Sequence, residues 1–394
     1  MPPNTPLTIL FSAGESSGDQ HAANMFLELK KHRPDIVGFG MGGAKMAQAG
    51  IDIRYDSSGI AVIGVVEVLK HYGEIRRALK LMQHIVSAER PDLLVCVDYK
   101  EFNLKLARYA KQHGIKVLFY VSPQVWAWRP GRVKTYGRAI DMMAVIFPFE
   151  TAYYHAEQVP VRYVGHPSVD KVHPLHSKAE DRAQFGLDEN KPVVGLLPGS
   201  RANEIKRMLP VMLAAAEKLQ ADLPGIQLLL PQADSISDEL LDTYLHQSPV
   251  KITVIKNLPF DVIQCCDAVM TTSGTATLEI ALLTVPMVIS YKLAGLTYWL
   301  GRMLVHTPFI GLPNIVSGKG FIKELIQHEA TAENLAVEVK RILTDKAYAD
   351  DMRAGLIQVK ELLGQGGGSK NMAALALEML GSLENQPKNL SSLD

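Results

Sequence analysis

Short apolar runs alternate with amphipathic stretches along the first half of the chain. The apolar runs predict strands at residues 7–13, 36–39, 93–97, 116–120, 142–146 and 162–164. Between them, helical periodicity predicts helices at residues 19–31, 68–89 and 102–113. Strands that are apolar on both faces and separated by helices are typical of a parallel sheet covered on both sides.

The alternation stops after residue 165 and begins again near residue 190. Apolar runs return at residues 193–197, 227–231, 251–255, 268–271 and 286–290, and the last third of the chain is helical. We therefore predict an α/β protein with two doubly wound, Rossmann-like parallel-sheet domains that face a cleft, followed by C-terminal helices. The predicted segments are residues 1–168, 169–365 and 366–394, of which the last ends in a frayed polar tail.

Composition narrows the class of protein. Hydrophobic residues make up 47% and charged residues 21% of the 394 positions, as in folded globular chains. Lys plus Arg number 41, as do Asp plus Glu, so the overall charge does not favour nucleic acid as a partner. There is no basic signal-peptide start and no apolar run of roughly 18 residues, so we expect a cytoplasmic protein with at most peripheral membrane contact. Three cysteines in apolar settings are expected in the core: Cys96, Cys265 and Cys266.

Loops that follow strands carry the candidate chemistry, because ligands of parallel sheets bind at the carboxyl ends of the strands. Residues 14–19 match the G-x-S-x-G turn of hydrolases, but a tight substrate-binding turn in which Asp19 caps the next helix is favoured. Residues 38–43 match G-x-G-x-x-G, yet no strand with a terminal acid follows. A turn close to substrate is therefore favoured over nicotinamide or flavin binding.

The next two loops offer a carboxylate and a cluster of aromatic and basic residues. Asp98 ends a buried run, where it is either a general base with a raised pKa or a helix cap. Trp126 and Trp128 lie beside three cations, which favours a lipid headgroup or a phosphorylated ligand. Nucleic acid and a packed surface loop are the alternatives. The three cations are Arg129, Arg132 and Lys134.

Two loops of the second half resemble anion sites. Residues 197–205 and 271–279 each place small residues between a strand and a helix, which leaves backbone N–H groups for phosphate, and Arg201 adds a bidentate donor. Two such loops favour a diphosphate ligand over simple helix caps, and Glu279 lies one turn after Thr275, where it can accept from sugar hydroxyls. There is no Asp-x-Asp pair and no P-loop, so no metal and no cofactor are expected. Three histidines that fit no zinc spacing are read as surface or hinge residues: His166, His173 and His176.

Together these segments resemble the lipid A disaccharide synthase family of GT-B glycosyltransferases over roughly residues 7–380. The resemblance is carried by AGESSGD at residues 13–19, AVIGVVEV at 61–68, YVSPQVWAWR at 120–129, FPFE at 147–150, GHP at 165–167, LLPGSRANE at 196–204, SGTATLE at 273–279 and LPN at 312–314. It implies that the enzyme joins UDP-2,3-diacylglucosamine to 2,3-diacylglucosamine 1-phosphate, with inversion and without a metal. The products are the β-1,6 disaccharide 1-phosphate and UDP.

The resemblance also implies a role for each part of the chain. The N-terminal domain holds the acceptor and faces the inner membrane, the second domain binds the donor, and the last helix returns to the N-terminal domain of its own chain or of a partner in a homodimer. Asp98 is the expected base. The expected donor-binding residues are Gly199, Ser200, Arg201, Glu204, Ser273, Gly274, Thr275, Glu279 and Asn314. The expected acceptor- and lipid-binding residues are Glu15, Ser17, Trp126, Arg129 and Arg132.

One departure from the family pattern keeps two alternatives open. The family reads Asp-x-Pro-Asp-Phe-Asn where this chain has Lys100 and Glu101 after Asp98 and Tyr99, and residues 291–295 lack an expected proline. A UDP-N-acetylglucosamine epimerase-like enzyme would share the nucleotide loops without needing the tryptophan-rich loop, residues 121–134. A non-catalytic paralogue would bind lipid or nucleotide without turnover. The apolar segment at residues 60–69, followed by basic residues, is expected to face the membrane or to pack on the sheet.

Overall fold

Each half of the chain folds around a parallel β-sheet, because its strands are apolar on both faces and are connected through helices. The computed structural model describes residues 6–59, 71–128, 130–292 and 307–381. The chain divides into two units: Met1–Pro167 with Gly366–Asp394, called unit 1, and Ser168–Gln365, called unit 2. The predicted membrane-facing segment at residues 60–69 lies outside the described residues.

The sheet of unit 1 has seven strands in the order β3-β2-β1-β4-β5-β6-β7, all of them parallel. Its strands are β1 Thr8–Ala13, β2 Val37–Gly42, β3 Asp52–Asp56, β4 Leu93–Val97, β5 Lys116–Tyr120, β6 Met142–Val145 and β7 Val161–Tyr163. Its helices are α1 Ser16–His32, α2 Ala44–Gln48, α3 Tyr72–Glu89, α4 Lys100–Gln112, α5 Val125–Trp128, α6 Val133–Gly137 and α7 Glu150–His155. Short 3-10 turns cover Ser57–Gly59 and Pro130–Arg132.

Unit 2 has six parallel strands in the order β10-β9-β8-β11-β12-β13. They are β8 Val193–Leu197, β9 Gln227–Gln232, β10 Thr253–Lys256, β11 Ala268–Thr272, β12 Met287–Tyr291 and β13 Glu324–Ile326. The helices from the unit boundary onward are α8 Pro167–Lys171, α9 Lys178–Gln184, α10 Ala202–Asp222, α11 Asp238–Leu245, α12 Pro259–Cys265, α13 Thr275–Leu282, α14 Leu312–Ser317, α15 Ala332–Thr344 and α16 Lys346–Leu363. A 3-10 turn covers Gln327–Glu329.

The final helix, α17 Gly368–Met379, belongs to unit 1, although the chain passes through all of unit 2 before reaching it. Its apolar residues, among them Met372 and Leu375, join the core formed by α1 and one face of the sheet. The Asn371 amide donates to the carbonyl oxygen of Val164, and Arg162 pairs with Glu378. Unit 1 is therefore closed by the chain's own C-terminal helix.

Both sheets reverse their strand order once, between β1 and β4 in unit 1 and between β8 and β11 in unit 2. At such a switch point, the loops that leave the two strands diverge to opposite faces and open a crevice at the carboxyl edge. The loops that follow these four strands, with the first turns of the helices they lead into, contain residues 14–18, Asp98, residues 199–201 and residues 273–275. The topology thus places most of the predicted chemistry at two crevices, one in each unit.

The predicted glycine-rich turn at residues 38–43 is wrong, because most of it is strand β2. Gly40 has φ 146°, and a Cβ there would overlap the carbonyl oxygen of Phe11 on β1. A Cβ on Gly38 would come within 2.7 Å of the Phe26 ring on α1. These glycines permit close packing of β2 against β1 and α1, which is a structural role.

The three cysteines are buried as predicted. His166 is also buried, so of its two predicted positions, surface or hinge, the surface position is wrong. Burial lowers the pKa of its imidazole to about 4. Among the described residues, no helix is both long enough and apolar enough to cross a bilayer.

Candidate functional site

The switch point of unit 1 is built from two loops in direct contact. Gly14 follows β1, and a Cβ on it would overlap the aromatic ring of Tyr99, which follows β4. Gly18 lies against the same strand, since a Cβ there would stand 3.3 Å from the carbonyl oxygen of Val97. Glu15 and the first turn of α1, which carries Ser17, therefore lie against the end of β4, next to Asp98.

Asp98 and Glu15 are half-buried carboxylates whose pKa values are both raised. Burial is the main cause for each; the charge of Asp98 further raises the pKa of Glu15, and Lys100 partly opposes the rise for both. A half-buried carboxylate with raised proton affinity, at a crevice, has the properties of a general base. The residue at the departure from the family pattern, Lys100, thus acts electrostatically on both carboxylates.

Asp19 does not cap α1 as predicted. Its carboxylate instead accepts hydrogen bonds from the backbone N–H groups of Gly43, Lys45 and Met46, at 2.7, 3.0 and 3.2 Å. These groups begin α2, so the acid stabilises the start of a different helix, which the sheet brings beside the loop. Asp19 connects the ends of β1 and β2.

The tryptophan-rich loop is anchored in the interior. Trp126 is buried, and its Nε1 donates to Glu150 Oε1 at 3.1 Å, while its ring packs edge-on against Phe149. Glu150 Oε2 accepts from the backbone N–H of Phe147 at 3.1 Å. Burial raises the pKa of Glu150 to about 7, although these hydrogen bonds partly oppose the rise. The indole of Trp126 therefore holds the loop in place.

Of the three predicted cations in this loop, Arg129 lies outside the described residues. Arg132 is half-buried, pairs with Glu101 at 2.6 Å and stacks its guanidinium over the Tyr136 ring. Lys134 pairs with Glu157 at 3.2 Å. The second residue of the departure, Glu101, is thus the partner of a predicted acceptor-binding arginine.

At the switch point of unit 2, the predicted anion loop already holds an internal anion. Glu204 Oε2 accepts from the backbone N–H groups of Ser200 and Arg201 at 3.0 and 3.2 Å, and its Oε1 pairs with the Arg201 guanidinium. Gly199 has φ 113°, and a Cβ on it would overlap this carboxylate. The backbone N–H groups at the start of α10 attract negative charge, and the Glu204 carboxylate of the same helix accepts their hydrogen bonds.

The second predicted loop is tied to a hydrogen-bond network. Ser273 Oγ donates to the carbonyl oxygen of Ile310 at 2.8 Å, and the N–H groups of Ile310 and Gly311 donate to the Glu324 carboxylate. Asn314 is fully buried, and its amide donates to Glu324 Oε1 at 2.8 Å and pairs with the backbone of Ile322. Asn314 therefore supports the loop from beneath. Gly274 and Thr275 are exposed at the start of α13.

Glu279 also has an internal partner. The Lys171 ammonium lies 3.0 Å from its Oε1 and 5.5 Å from the centre of the Phe260 ring. Sequence reasoning missed Lys171, Phe260 and Glu324, because each comes from a segment remote in sequence and no local motif marks them.

His176 is part of a cluster with two buried carboxylates. Its Nδ1 lies 3.1 Å from Asp181 and 3.3 Å from Asp261, and Asp261 also accepts from the N–H groups of Leu175 and His176. The ligand-type atoms are close enough for a cation, but hydrogen bonds already engage them. The cluster ties residues 175–176 to α12.

Comparison with known proteins agrees with this architecture. The sequence profile of the lipid-A-disaccharide synthetase family matches residues 9–378. The chain is 49% identical over 381 residues to a lipid-A-disaccharide synthase of Geobacter sulfurreducens, covering 97% of this chain and 99% of the relative. Among solved structures, it is similar to a UDP-GlcNAc 2-epimerase from Neisseria meningitidis bound to UDP-GlcNAc, with TM-score 0.61, 13% identity and coverage of 94% and 99%. It is also similar to MurG from Acinetobacter baumannii, with TM-score 0.58, 14% identity and coverage of 95% and 100%.

Two parallel-sheet units with loop-lined switch points define the fold class of GT-B glycosyltransferases and related epimerases. Within that class, the chain belongs to the lipid-A-disaccharide synthase family. It is accordingly a glycosyltransferase of lipid A biosynthesis, and its likeness to epimerases is one of fold alone.

Proposed function

We propose that the protein transfers 2,3-diacylglucosamine from UDP to the 6-hydroxyl of 2,3-diacylglucosamine 1-phosphate, by a single inverting displacement without a metal. The observation that carries the mechanism is Asp98, a half-buried carboxylate with a raised pKa at the switch point of unit 1. In this proposal unit 1 binds the acceptor and unit 2 binds the donor.

The chemical step needs one base and one stabilised leaving group. Asp98 takes the proton of the acceptor hydroxyl while that oxygen forms a bond to the anomeric carbon. The bond between this carbon and the diphosphate oxygen breaks, and UDP leaves with the electron pair. Backbone N–H groups and Arg201 stabilise the developing charge, together with residues 273–275.

Donor binding requires exchanges of partners in unit 2. The diphosphate would displace the Glu204 carboxylate from Ser200 and Arg201, and the ribose hydroxyls would replace Lys171 as partners of Glu279. Asn314 acts through Glu324 and Ile310 on Ser273. Each exchange replaces one charged or polar contact of these binding groups by another.

Acceptor binding uses the loops of unit 1. Glu15 and Ser17 approach the sugar, and Arg129 and Arg132 bind the 1-phosphate, with Arg132 exchanging Glu101 for the ligand. Trp126 holds this loop in position. We further propose peripheral contact with the inner face of the cytoplasmic membrane, supported by the exposed cations of α3: Arg76, Arg77 and Lys80.

The test is UDP release by the purified protein with UDP-2,3-diacylglucosamine, with and without the acceptor, and with product mass read in parallel. We expect release that depends on acceptor, gives a disaccharide mass and persists in a metal chelator. UDP-sugar turnover without acceptor would instead support an epimerase-like activity. Binding of both ligands without release would identify a non-catalytic paralogue, and loss of release in the chelator would overturn the metal-free mechanism.

A further inference from the structure

A buried amide joins the two strands of the unit 1 switch point. Asn103, in the first turn of α4, is fully buried, and the two N–H groups of its Nδ2 are shared among three carbonyl oxygens within hydrogen-bond distance. These belong to Ser12 at 3.1 Å, Val97 at 3.3 Å and Asp98 at 2.8 Å. Its Oδ1 accepts from the buried Ser12 hydroxyl at 2.6 Å. A single side chain thus fixes the ends of β1 and β4 to each other and to the next helix.

The backbone held by this amide is in a conformation that its residues rarely adopt. Asp98 and Tyr99 have φ values of 51° and 42°, in the left-handed region that disfavours side chains with a Cβ. Two consecutive residues of this kind persist only where surrounding contacts fix them. The Asn103 amide supplies such a contact at the Asp98 carbonyl, and the Asp98 N–H donates to the carbonyl oxygen of Tyr120 on β5.

We propose that Asn103, oriented by Ser12, is the positioning residue that holds the Asp98 carboxylate at the crevice. This inference rests on the proposed role of Asp98 as the base. Only an amide suits the position, because it combines two N–H donors for converging carbonyls with an acceptor for the Ser12 hydroxyl. An aspartate would place a carboxylate against carbonyl oxygens. An alanine would remove the N–H groups that these carbonyl oxygens share.

The test compares Asn103→Ala and Ser12→Ala with a matched control on the same two strands. Thr8 begins β1, at the end of the strand opposite the crevice, and its hydroxyl donates to Asp92 at 2.9 Å. Thr8→Val removes a hydrogen bond between β1 and Asp92, the residue that precedes β4. For all three variants kcat, acceptor KM, thermal midpoint and the pH profile of kcat/KM are measured.

For Asn103→Ala we expect kcat to fall about 100-fold with acceptor KM nearly unchanged, since small misplacements of a reacting group have effects of this size. The acid limb of the kcat/KM profile should move to lower pH, because an Asp98 released towards water regains a more ordinary pKa. Ser12→Ala should show both changes to a smaller extent, with kcat about 10-fold lower. Thr8→Val should lower the thermal midpoint without altering kcat or the pH profile.

An Asn103→Ala protein with normal kcat and an unmoved acid limb would overturn the proposal. If this variant does not fold, Ser12→Ala decides by the same two readouts. Asp98→Asn in the same assay distinguishes a failure of the proposed base from a failure of the positioning role. If Asp98→Asn stays active, the base is wrong; if it is inactive while the Asn103 and Ser12 variants behave like Thr8→Val, only the positioning role is wrong.

Discussion

The two switch points differ in how they are prepared for a ligand. In unit 1, Asn103 ties β1 to β4 and holds the left-handed turn formed by Asp98 and Tyr99. In unit 2, groups expected to meet the donor already have internal partners, Glu204 for the helix start and Lys171 for Glu279. The comparison suggests that a group performing chemistry is preorganised, whereas groups that bind a charged, exchangeable ligand are kept neutralised until it arrives.

The largest expected effect comes from removing the base. Asp98→Asn should lower acceptor-dependent UDP release by about 1,000-fold, because general base catalysis contributes this much and an amide cannot take the proton. UDP binding, followed by calorimetry, should be unchanged. Asp52→Asn, which alters an exposed carboxylate of the same unit, serves as the control and should be fully active. A nearly active Asp98→Asn would end the view of unit 1 as the catalytic crevice.

The second prediction concerns Glu150, the carboxyl group buried beneath the tryptophan-rich loop. The pKa of Glu150 is raised to about 7 from 4.5, so the folded state holds its proton more tightly than the unfolded state does. The contribution to stability is therefore fully present below pH about 4.5 and decreases as pH rises to about 7, by about 3 kcal/mol in all.

Urea unfolding of the wild type and of Glu150→Gln between pH 4.5 and 8 checks this. The decrease in the free energy of unfolding across that window should be smaller in the variant. The Trp126 indole N–H resonance, assigned with Trp126→Phe, should shift with a midpoint near pH 7 in the wild type. A resonance that does not titrate near pH 7 would contradict the raised pKa of Glu150.

The third prediction tests the contact between the two loops of unit 1. Gly14→Ala places a methyl group into the Tyr99 ring, so either the loop or the Asp98–Tyr99 turn must move. We expect kcat to fall about 10-fold. Gly73→Ala is the matched control, because nothing lies within 4 Å of a Cβ there, and it should stay active. Equal activity of both variants would mean that the loop contact does not position Asp98.

The smallest effect is expected in unit 2 and has the opposite sign. Glu204→Gln removes the charge that competes with a diphosphate at the start of α10, so UDP should bind about 2- to 5-fold more tightly. Calorimetric titration with UDP measures this, and Glu217→Gln, on the same helix, is a control that should leave the affinity unchanged. Weaker binding in the Glu204 variant would show that this carboxylate supports the donor site and does not compete with the ligand.

The sequence predicted central strands better than edge strands. Residues 93–97, 116–120 and 193–197 are the observed β4, β5 and β8, because fully buried parallel strands are continuous apolar runs. Two of the four edge strands were missed, β3, Asp52–Asp56, and β13, Glu324–Ile326, whereas β7 and β10 were predicted to within two residues. β3 alternates charged and apolar residues and β13 is only three residues long, so neither has the apolar run of a buried strand.

The sequence alone determined the α/β class, the two sheets and the family, because these depend on hydrophobic period and on motifs that are contiguous in the chain. Only the tertiary structure decided which groups meet. Asp19 caps α2 instead of α1, Glu204 occupies its own anion loop, and Asn103 meets Ser12, which lies 91 positions earlier. Strand order sets such partnerships, and strand order depends on long-range packing, which no local pattern encodes.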